Sequence, residues 1–529
     1  MSCRSNSGLA PALCLLSLVL PFSCGKEAGG ETKAESRRAV LVYGRGKDSI
    51  TLDPAAASDG ESTKVLDNVF ETLVDFSEDP KEPSRILPLL ATDWKEAPDR
   101  LSWVFHLRRG VRFHDGSRLD ARAVKISLDR LIFGKPHPPA QAPYRGNFSE
   151  VAGIEVVDDF TVRIRLKRPS VVLIPNLAMF CASIVSPKAL EERGKAFAVS
   201  PVGTGPFAFR SWKQDVKVVL ERFDGWWGSP APALDHIVFT QIKDWPSRME
   251  RLRSGEIQMT DDVVFQDIPL LRKSKGVEVQ VRPGLNVCYL TLNNERPPFD
   301  KPLVRRAVAM AIDRSRILER GYYGYGEPAR DLLPPGVPFY AGDVAPPFDP
   351  REARRLLEKA GVAAGTSVRL FVMNNPRPYL MEPDRVAEII RDSLKTVGLE
   401  VSIRKYDWSS YLQKLQLGEH QMALIGWTTD NGDPDNFYGS LLSKALIGGT
   451  NYSRMADPPF EKLLQLSKGE SDRGKREALF RGMQDILRER CPLVPLVYTP
   501  IASAYRSEVE GFLRHPIKIR LSRVHLRPD

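Results

Sequence analysis

The sequence predicts an α/β protein with two or more lobes, and three observations support this prediction. The chain has 529 residues, and chains of this length usually fold around more than one hydrophobic core. Its 42 prolines favour a loop-rich α/β design over a helical bundle. Residues 368–403 pass from a strand pattern to a helix pattern and back, as expected of a βαβ unit.

In the first half of the chain, short β-branched and alternating runs indicate strands interspersed with helices. The expected strands are 39–43, 101–107 paired with 111–113, 154–157 paired with 161–166, and 206–212 paired with 216–222. The last two pairs are expected to be hairpins. The expected helices are 61–74 and 120–131.

The second half has clearer boundaries. Asp349-Pro350-Arg351-Glu352 supplies an N-cap, a first-turn proline and a capping-box glutamate, and Gly361 is expected to end that helix. A helix at 383–397 lies between strands at 368–373 and 399–403, which predicts parallel strands joined by a right-handed crossover. A further buried strand is expected at 421–427.

Two polar loops follow strands of this predicted sheet. Residues 374–380 come after one strand, and residues 428–437 come after another. Ligands of α/β proteins bind beyond the carboxyl ends of the strands. We therefore expect the two loops to face one crevice.

The N-terminus is predicted to be an export signal. Residues 1–23 contain the apolar stretch 9–22, which is too short to span a bilayer comfortably. Ser23-Cys24-Gly25 resembles a lipoprotein signal, in which Cys24 is lipidated and becomes the new N-terminus. Pro21 stands where leucine is usual, so simple cleavage and release is the alternative. Residues 24–38 are polar and are expected to be a flexible tether.

Charge and motif content argue against several functional classes. The net charge of +10 could suit nucleic acid or an anionic membrane face, but no basic run with interleaved aromatic residues occurs, so a solvated basic surface is expected. HExxH, nucleophile-elbow, Walker A and CxxC motifs are missing, and the seven histidines lack metal-ligand spacing. We therefore predict no enzyme activity, no cofactor and no metal.

Two smaller groups of residues have more than one interpretation. Asp433 and Asp435 could serve hydrolysis or bind calcium, but their Gly/Pro/Asn-rich setting favours turn stabilisation. Cys181, Cys288 and Cys491 are odd in number and far apart, so buried free thiols are expected rather than a disulfide framework.

Six further segments occur in a characteristic order over nearly all of the chain after residue 38. They are 89–131, 201–207 (PVGTGPF), 223–228 (FDGWWG), 289–293, 298–313 (PFDKPLVRRAVAMAID) and 492–498. Together they resemble the signatures of bacterial extracellular solute-binding protein family 5, the peptide- and nickel-binding type of ABC importers. Arg122 departs from the pattern, since an acidic residue is usual there. Trp226-Trp227 is expected to be core, with ligand stacking as the alternative.

The resemblance implies a two-lobed periplasmic-binding-protein fold of type II, in its large cluster C form with an extra subdomain. In that fold, mixed β-sheets flanked by helices enclose a ligand cleft between the lobes. The implied lobe I is 39–288, with a subdomain inserted at about 70–200. Lobe II is 289–498, and residues 499–529 return to lobe I. The crossings are expected at 284–290 and 494–502, with hinge closure on the ligand.

The C-terminal half is most similar to the dipeptide-binding branch of this family. The similar segments are 377–379 (RPY), 406–408, 418–421 and 426–437 (GWTTDNGDPDNF). In that branch, the first aspartate after Gly-Trp binds the α-ammonium of the peptide, and the arginine of Arg-Pro-Tyr receives the α-carboxylate. These roles fall on Asp430 and Arg377. The disulfide cysteines of the branch are missing around 443–460.

The remaining residues of the expected site are Tyr379, as a pocket contact, and Gly426, Trp427 and Thr428. Trp427 either stacks on the ligand or forms a wall of the cleft. Asp430 has a second interpretation, which is turn capping beside Asn431-Gly432. A carboxylate and an arginine fork suit the two ends of a zwitterionic dipeptide, whose charges lie roughly 6–7 Å apart.

The resemblance implies an exported protein that captures dipeptides or short oligopeptides and delivers them to an ABC permease and ATPase complex. It is expected in the periplasm or on the outer face of the cytoplasmic membrane, as a monomer, with a lipid anchor if Cys24 is lipidated. The same fold also binds nickel chelates, haem, glutathione or oligosaccharides, and these stay open as alternatives. A sensory peptide-binding lipoprotein is a further alternative.

Overall fold

The computed structural model describes residues 39–527. The predicted signal peptide, Cys24 and the predicted tether lie outside the described residues, so lipidation stays a prediction.

The strands, in chain order, are β1 (Val40–Arg45), β2 (Val74–Phe76), β3 (Ile86–Pro88), β4 (Ala91–Glu96), β5 (Ser102–Leu107), β6 (Val151–Asp158), β7 (Thr161–Leu166), β8 (Phe207–Lys213), β9 (Lys217–Arg222), β10 (His236–Gln241), β11 (Met259–Asp261), β12 (Val277–Arg282), β13 (Asn286–Leu292), β14 (Glu327–Pro328), β15 (Thr366–Met373), β16 (Leu399–Tyr406), β17 (Met422–Thr428), β18 (Leu493–Tyr498), β19 (Ile501–Arg506), β20 (Val509–Glu510) and β21 (His525–Leu526).

The helices are α1 (Gly60–Val69), α2 (Ala121–Phe133), α3 (Leu173–Leu177), α4 (Pro187–Arg193), α5 (Trp245–Ser254), α6 (Ile268–Lys273), α7 (Pro302–Ala311), α8 (Arg314–Gly321), α9 (Pro350–Lys359), α10 (Pro383–Thr396), α11 (Trp408–Gln416), α12 (Asp435–Leu442), α13 (Pro458–Gly469) and α14 (Arg473–Arg490).

Two large mixed sheets organise the chain. The first has the order β12-β19-β11-β1-β10-β9-β8, and the second has the order β14-β18-β13-β17-β15-β16. A separate sheet of four antiparallel strands, β4-β5-β7-β6, belongs to the first half of the chain. Helices accompany these sheets throughout, which confirms the predicted α/β class with mixed sheets.

The second sheet contains the predicted βαβ unit. Strands β15 and β16 run parallel from Thr366 opposite Leu399 to Met373 opposite Tyr406, and α10 connects them. Strand β17 also runs parallel to β15. The carboxyl ends of β15 and β17 therefore lie at the same edge of the sheet, as the sequence predicted.

The chain passes between the two large sheets at two places. It leaves the first sheet after Arg282 and enters the second at Asn286, and it returns between Tyr498 and Ile501. The amide of Asn286 joins the two crossings, because it donates to the carbonyl of Thr499 and its oxygen accepts from the Thr499 N–H. We retain the division into lobes at residues 288 and 498 as a proposal that these crossings support.

Both hairpins predicted in the first half are confirmed, as the pairs β6–β7 and β8–β9. The predicted pairing of 101–107 with 111–113 is wrong, because β5 lies between β4 and β7. Residues 111–119 instead turn back on themselves, since Phe113 N–H donates to the Ser117 carbonyl and Leu119 N–H donates to the Val111 carbonyl. Gly116, with φ of +80°, permits that turn.

The helix predicted at 61–74 ends earlier, at Val69, and Val74–Phe76 forms β2. Phe70 is already extended. The Val69 carbonyl accepts a hydrogen bond from Gly205 N–H at 3.0 Å, so a long-range contact uses the acceptor that a longer helix would need.

The predicted N-cap of α9 is confirmed, because the Asp349 carboxylate accepts from the N–H groups of Arg351 and Glu352. The capping box does not form. The Glu352 carboxylate instead accepts two hydrogen bonds of 2.6 Å from the guanidinium of Arg355, one turn on. It therefore does not accept from the backbone N–H of the N-cap residue, Asp349.

A buried carboxylate ties two of the signature segments together. Glu71 accepts hydrogen bonds from the indole N–H groups of Trp226 and Trp227, at 3.1 and 2.8 Å, and from the Thr204 hydroxyl at 2.7 Å. Burial raises the pKa of Glu71 to about 7, although these hydrogen bonds oppose the shift. Both indoles are half-buried. This clamp gives Trp226-Trp227 a structural role within the first half of the chain.

Cys181, Cys288 and Cys491 are buried free thiols, as predicted. Between residues 39 and 527, no helix has both the length and the apolar character that crossing a bilayer requires.

Candidate ligand-binding site

The candidate site begins where two parallel strands end. Residues 374–380 follow β15, and residues 429–434 follow β17, its neighbour in the sheet. Both loops therefore leave the same edge of the second sheet. Close to the same edge, Thr429 N–H donates to the carbonyl of Leu285, in the first crossing between the sheets. The arrangement places the loops beside the crossing segments, where a cleft between lobes would lie.

The loop after β17 is fixed by its own polar side chains. The Thr429 hydroxyl accepts from the N–H groups of Asn431 and Gly432, and the Asn431 oxygen accepts from Asp433 N–H. Asp433 makes two hydrogen bonds of 2.7 and 2.8 Å to the guanidinium of Arg476, and also accepts from the Asp435 N–H. The Asp433 side chain thus stabilises the turn, whereas Asp435 contributes its backbone N–H and lies 3.6 Å from the ammonium of Lys468.

Asp430 differs from its neighbours in this loop. Its side chain is partly accessible, yet burial raises its pKa to about 7, and no charge or hydrogen bond from the described residues counters that shift. A turn-capping carboxylate would accept backbone N–H groups, which lower the pKa of a carboxyl group. Turn capping is therefore not the role of Asp430, and no described residue supplies a compensating charge.

Arg377 lies in the other loop, and no carboxylate pairs with it among the described residues. Burial lowers the pKa of its guanidinium, and the only opposing contribution comes from Tyr379, among the described residues. The guanidinium carbon lies 3.7 Å from the centre of the Trp408 ring, a cation–π contact at the start of α11. The Arg377 Nε is buried and has no partner among the described residues. The guanidinium thus lies against the Trp408 ring, and its Nε makes no hydrogen bond to the described residues.

Tyr379 packs the loop after β15 against strand β17. A Cβ added at Gly426 would lie 2.7 Å from the Val287 carbonyl oxygen and still closer to the Tyr379 ring, so that ring packs directly on the backbone of β17. The Tyr379 carbonyl accepts from the hydroxyls of Tyr322 and Thr499. The ring is nearly fully buried. Tyr379 and Gly426 therefore support the candidate site by packing against each other, and contribute less to its lining.

Trp427 and Thr428 end strand β17. The indole N–H of Trp427 donates to the Asn436 side chain at 2.8 Å, which orients a half-buried ring. This hydrogen bond favours the wall role for Trp427 over free stacking. Thr428 is exposed and faces Asn286 of the first crossing in the β13–β17 pairing.

The structure brings Arg377, Tyr379 and Gly426 together, but Asp430 does not contact Arg377. The Asp430 carboxylate instead raises the pKa of Tyr144 and Cys181, behind the larger effect of their own burial, so it lies near residues from the first half of the chain. Next to it, Asn431 donates to the side chain of Asn176 at 2.6 Å. Asp430 and Arg377 thus have different neighbours within the candidate site.

Sequence reasoning missed the contribution of the first half. Tyr144, Asn176 and Cys181 lie 249 to 286 residues from Asp430 along the chain, and no local pattern links segments so far apart. Trp408 was within a recognised segment, and its position as the N-terminal residue of α11, next to Asp407 as N-cap, could have suggested a fixed ring.

The first sheet also presents charges at the carboxyl ends of β1 and β11. There the Lys64 ammonium lies 2.8 Å from Asp261 and 3.0 Å from Glu61. Arg45 is fully buried and pairs with Asp48 at 3.0 Å. These charges neutralise one another, in contrast to Asp430 and Arg377. Across residues 39–527, no three His, Cys, Asp or Glu side chains are grouped as metal ligands would be.

Comparison with known proteins agrees with this architecture. Residues 85–448 match the family model described as bacterial extracellular solute-binding proteins, family 5, middle region. The chain is 32% identical over 486 residues to di/tripeptide-binding protein 1 of Pseudomonas aeruginosa, covering 88% of this chain and 90% of that protein. It is 29% identical over 542 residues to heme-binding protein A of Haemophilus influenzae, covering 98% and 97% of the two chains.

Among solved structures, the chain is similar to the periplasmic binding protein DppA of Helicobacter pylori in complex with the peptide STSA. The two share 33% sequence identity with a TM-score of 0.78, covering 93% of this chain and 99% of that chain.

Proposed function

The chain belongs to the bacterial extracellular solute-binding proteins of family 5, and from this premise we propose that it captures dipeptides or short oligopeptides for an ABC importer. In this proposal, Asp430 binds the α-ammonium group of the peptide and Arg377 binds its α-carboxylate. The peptide is held in a cleft between the two proposed lobes. The loaded protein then docks on a membrane permease that a partner ATPase drives.

The uncompensated carboxylate of Asp430 carries this proposal. An anion that is desolvated without a partner is costly, and proteins usually pair such a group or move its pKa. A ligand ammonium would supply the missing charge and lower the pKa of Asp430 again. A neutral sugar would leave the carboxylate unpaired, so the site favours a cationic ligand group.

Arg377 supports the other half of the proposal. Its guanidinium lies against the Trp408 ring, and its Nε has no hydrogen-bond partner among the described residues. A planar fork can bind both oxygens of a carboxylate at once. A ligand with an ammonium at one end and a carboxylate at the other satisfies both residues, which is the charge pattern of a free peptide.

The test is isothermal titration calorimetry of the purified protein with a dipeptide panel, together with N-acetylated and C-amidated versions of any dipeptide that binds. We expect blocking either end to weaken binding by about two to four decades, because one partner of a buried charge pair is then missing. Asp430→Asn should weaken binding of the free dipeptide as much as N-acetylation of the peptide does. Arg377→Gln should weaken it as much as C-amidation does. Arg404→Gln is the control, since Arg404 is an exposed residue of β16. Tight binding of doubly blocked peptides contradicts the proposal.

The similarity to a heme-binding protein requires a direct comparison of ligands. Haem absorbs strongly in the visible range, so a spectrum of the protein as purified, and after addition of haem, identifies this alternative. Haem replaces peptide as the assigned ligand within the same family if the protein binds haem and no dipeptide, and if Asp430→Asn leaves haem binding unchanged.

A further inference from the structure

A buried pair of asparagines joins the two halves of the chain beside Asp430. Asn431 Nδ2 donates to Asn176 Oδ1 at 2.6 Å, although 255 residues separate them. Both side chains are buried. Asn176 lies in α3, and Asn431 follows Asp430 directly in the loop after β17.

Each amide of this pair is held at its other end. Asn176 Nδ2 donates to the Asn147 carbonyl at 2.8 Å, and Asn431 Oδ1 accepts from Asp433 N–H at 2.9 Å. The geometry of the bridge is therefore fixed from both sides. A slight separation of the two halves would break it and leave buried amide groups without partners.

The segment that carries Asn176 also faces Asp430. Residues 144–181, which we call the cover segment, include β6 and β7 and so are part of the four-stranded sheet. They contain Tyr144 and Cys181, the two groups whose pKa the Asp430 charge raises. Tyr144 packs edge-on against Phe180, with ring centres 5.2 Å apart. Tyr144 and Cys181 of the cover segment thus lie near enough to Asp430 to feel its charge, and Asn176 of the same segment bonds to the residue after Asp430.

A second attachment lies away from Asp430. Val171 N–H, in the cover segment, donates to the carbonyl of Lys468 at 2.9 Å. The Arg100 guanidinium, between β4 and β5 of the same four-stranded sheet, donates to the carbonyl of Gly469, and both acceptors are at the end of α13. The cover segment can therefore stay near the second half through α13 when the asparagine bridge breaks. The bridge is the attachment that shares a loop with Asp430.

We propose that Asn176 is a positioning residue, whose hydrogen bond to Asn431 holds the cover segment closed over Asp430 and sets how long a bound ligand stays. The ligand end of this inference rests on the proposed function, but the bridge itself does not. A neutral amide pair suits this task, because it has no charge to desolvate and exchanges readily with water when the halves separate.

The first test needs no ligand. Cys181 is a buried thiol of the cover segment and feels the charge of Asp430, so we expect opening beside Asp430 to make it more accessible to a thiol reagent. Labelling of the full chain, mapped by mass spectrometry of its peptides, should be roughly ten- to hundred-fold faster at Cys181 in Asn176→Ala and in Asn431→Ala, as expected for losing one buried hydrogen bond. The rate at Cys491, far along the chain, should not change.

Asn147→Ala is the matched control, because Asn147 lies in the cover segment and contributes its backbone carbonyl, not its side chain, to the bridge. Its Cys181 labelling should match the wild-type rate. The double variant Asn176→Ala/Asn431→Ala should label more slowly than the product of the two single effects predicts, since both substitutions remove the same Asn176–Asn431 bond. Wild-type labelling in both single variants, or additive effects in the double variant, overturns the inference.

The second test measures ligand exchange. In stopped-flow experiments with a dipeptide that the wild-type protein binds, Asn176→Ala should raise the dissociation rate roughly ten- to hundred-fold and leave the association rate within about two-fold. An equal loss in both rates, or an unchanged dissociation rate, contradicts the positioning role. If no dipeptide binds the wild-type protein, the proposed function fails, and the labelling experiment still decides the inference.

Discussion

Replacing Asp430 by asparagine should stabilise the ligand-free protein, and more so as the pH rises. Burial raises the pKa of Asp430 to about 7 in the folded protein, whereas an aspartate in an unfolded chain titrates near about 3.9. The folded state therefore favours the protonated carboxyl group. Its contribution to stability is complete below about pH 4 and is lost as the pH rises through about 7.

The size of the effect follows from this pKa difference. About three pKa units at about 1.36 kcal/mol each give roughly 4 kcal/mol of destabilisation at about pH 8, and roughly 1.5 kcal/mol at about pH 5. Asp430 is partly accessible to solvent, so we expect about half of these values, roughly 2 and 1 kcal/mol. An asparagine side chain at this position would fill the same space without a charge, and would remove this cost.

Urea unfolding of the ligand-free wild type and of Asp430→Asn, at about pH 5 and about pH 8, measures the difference. Tryptophan fluorescence and far-ultraviolet circular dichroism should give coincident transitions before a two-state fit is applied. Asp433→Asn is the control in the same loop: it weakens the pair with Arg476, so it should destabilise at both pH values. An Asp430→Asn variant that is no more stable than wild type at about pH 8 refutes the reasoning.

Three further predictions follow from the same structure. Peptide affinity should fall by up to roughly a hundred-fold as the pH drops from about 7.5 to about 5, because the ammonium needs the ionised form of Asp430. Calorimetry in matched buffers measures this fall, and an affinity that does not change with pH contradicts it. Glu71→Ala should destabilise the protein by about 2–4 kcal/mol, because two indole N–H groups and the Thr204 hydroxyl lose their acceptor; urea unfolding followed by tryptophan fluorescence measures it, and a change below about 1 kcal/mol counts against the clamp. Gly426→Ala should weaken peptide binding at least ten-fold, since a Cβ there displaces the Tyr379 ring; unchanged calorimetric affinity shows that this ring does not support the site.

Local patterns predicted much of the second sheet. The apolar spacing of 383–397, with Gly398 after it, defined α10, and the alternation on either side defined β15 and β16. Parallel strands that share an edge then placed the loops of Arg377 and Asp430 together. These features depend on neighbours within a few residues, so the sequence alone carries them.

Long-range contacts account for what the sequence did not predict. The helix predicted at 61–74 ends at Val69 because Gly205, far along the chain, takes its carbonyl. The role of Trp226-Trp227 is decided by Glu71, about 155 residues away. The cover segment meets Asp430 only through the tertiary fold. Such pairings leave no periodic trace in one sequence.

A crystal structure of the protein with a bound dipeptide tests the central claim most directly. We predict that the ligand ammonium lies within hydrogen-bond distance of the Asp430 carboxylate, and that the ligand carboxylate accepts from the guanidinium of Arg377 while this group stays stacked on Trp408. A dipeptide whose ammonium contacts another acid, with Asp430 still unpaired, contradicts the account.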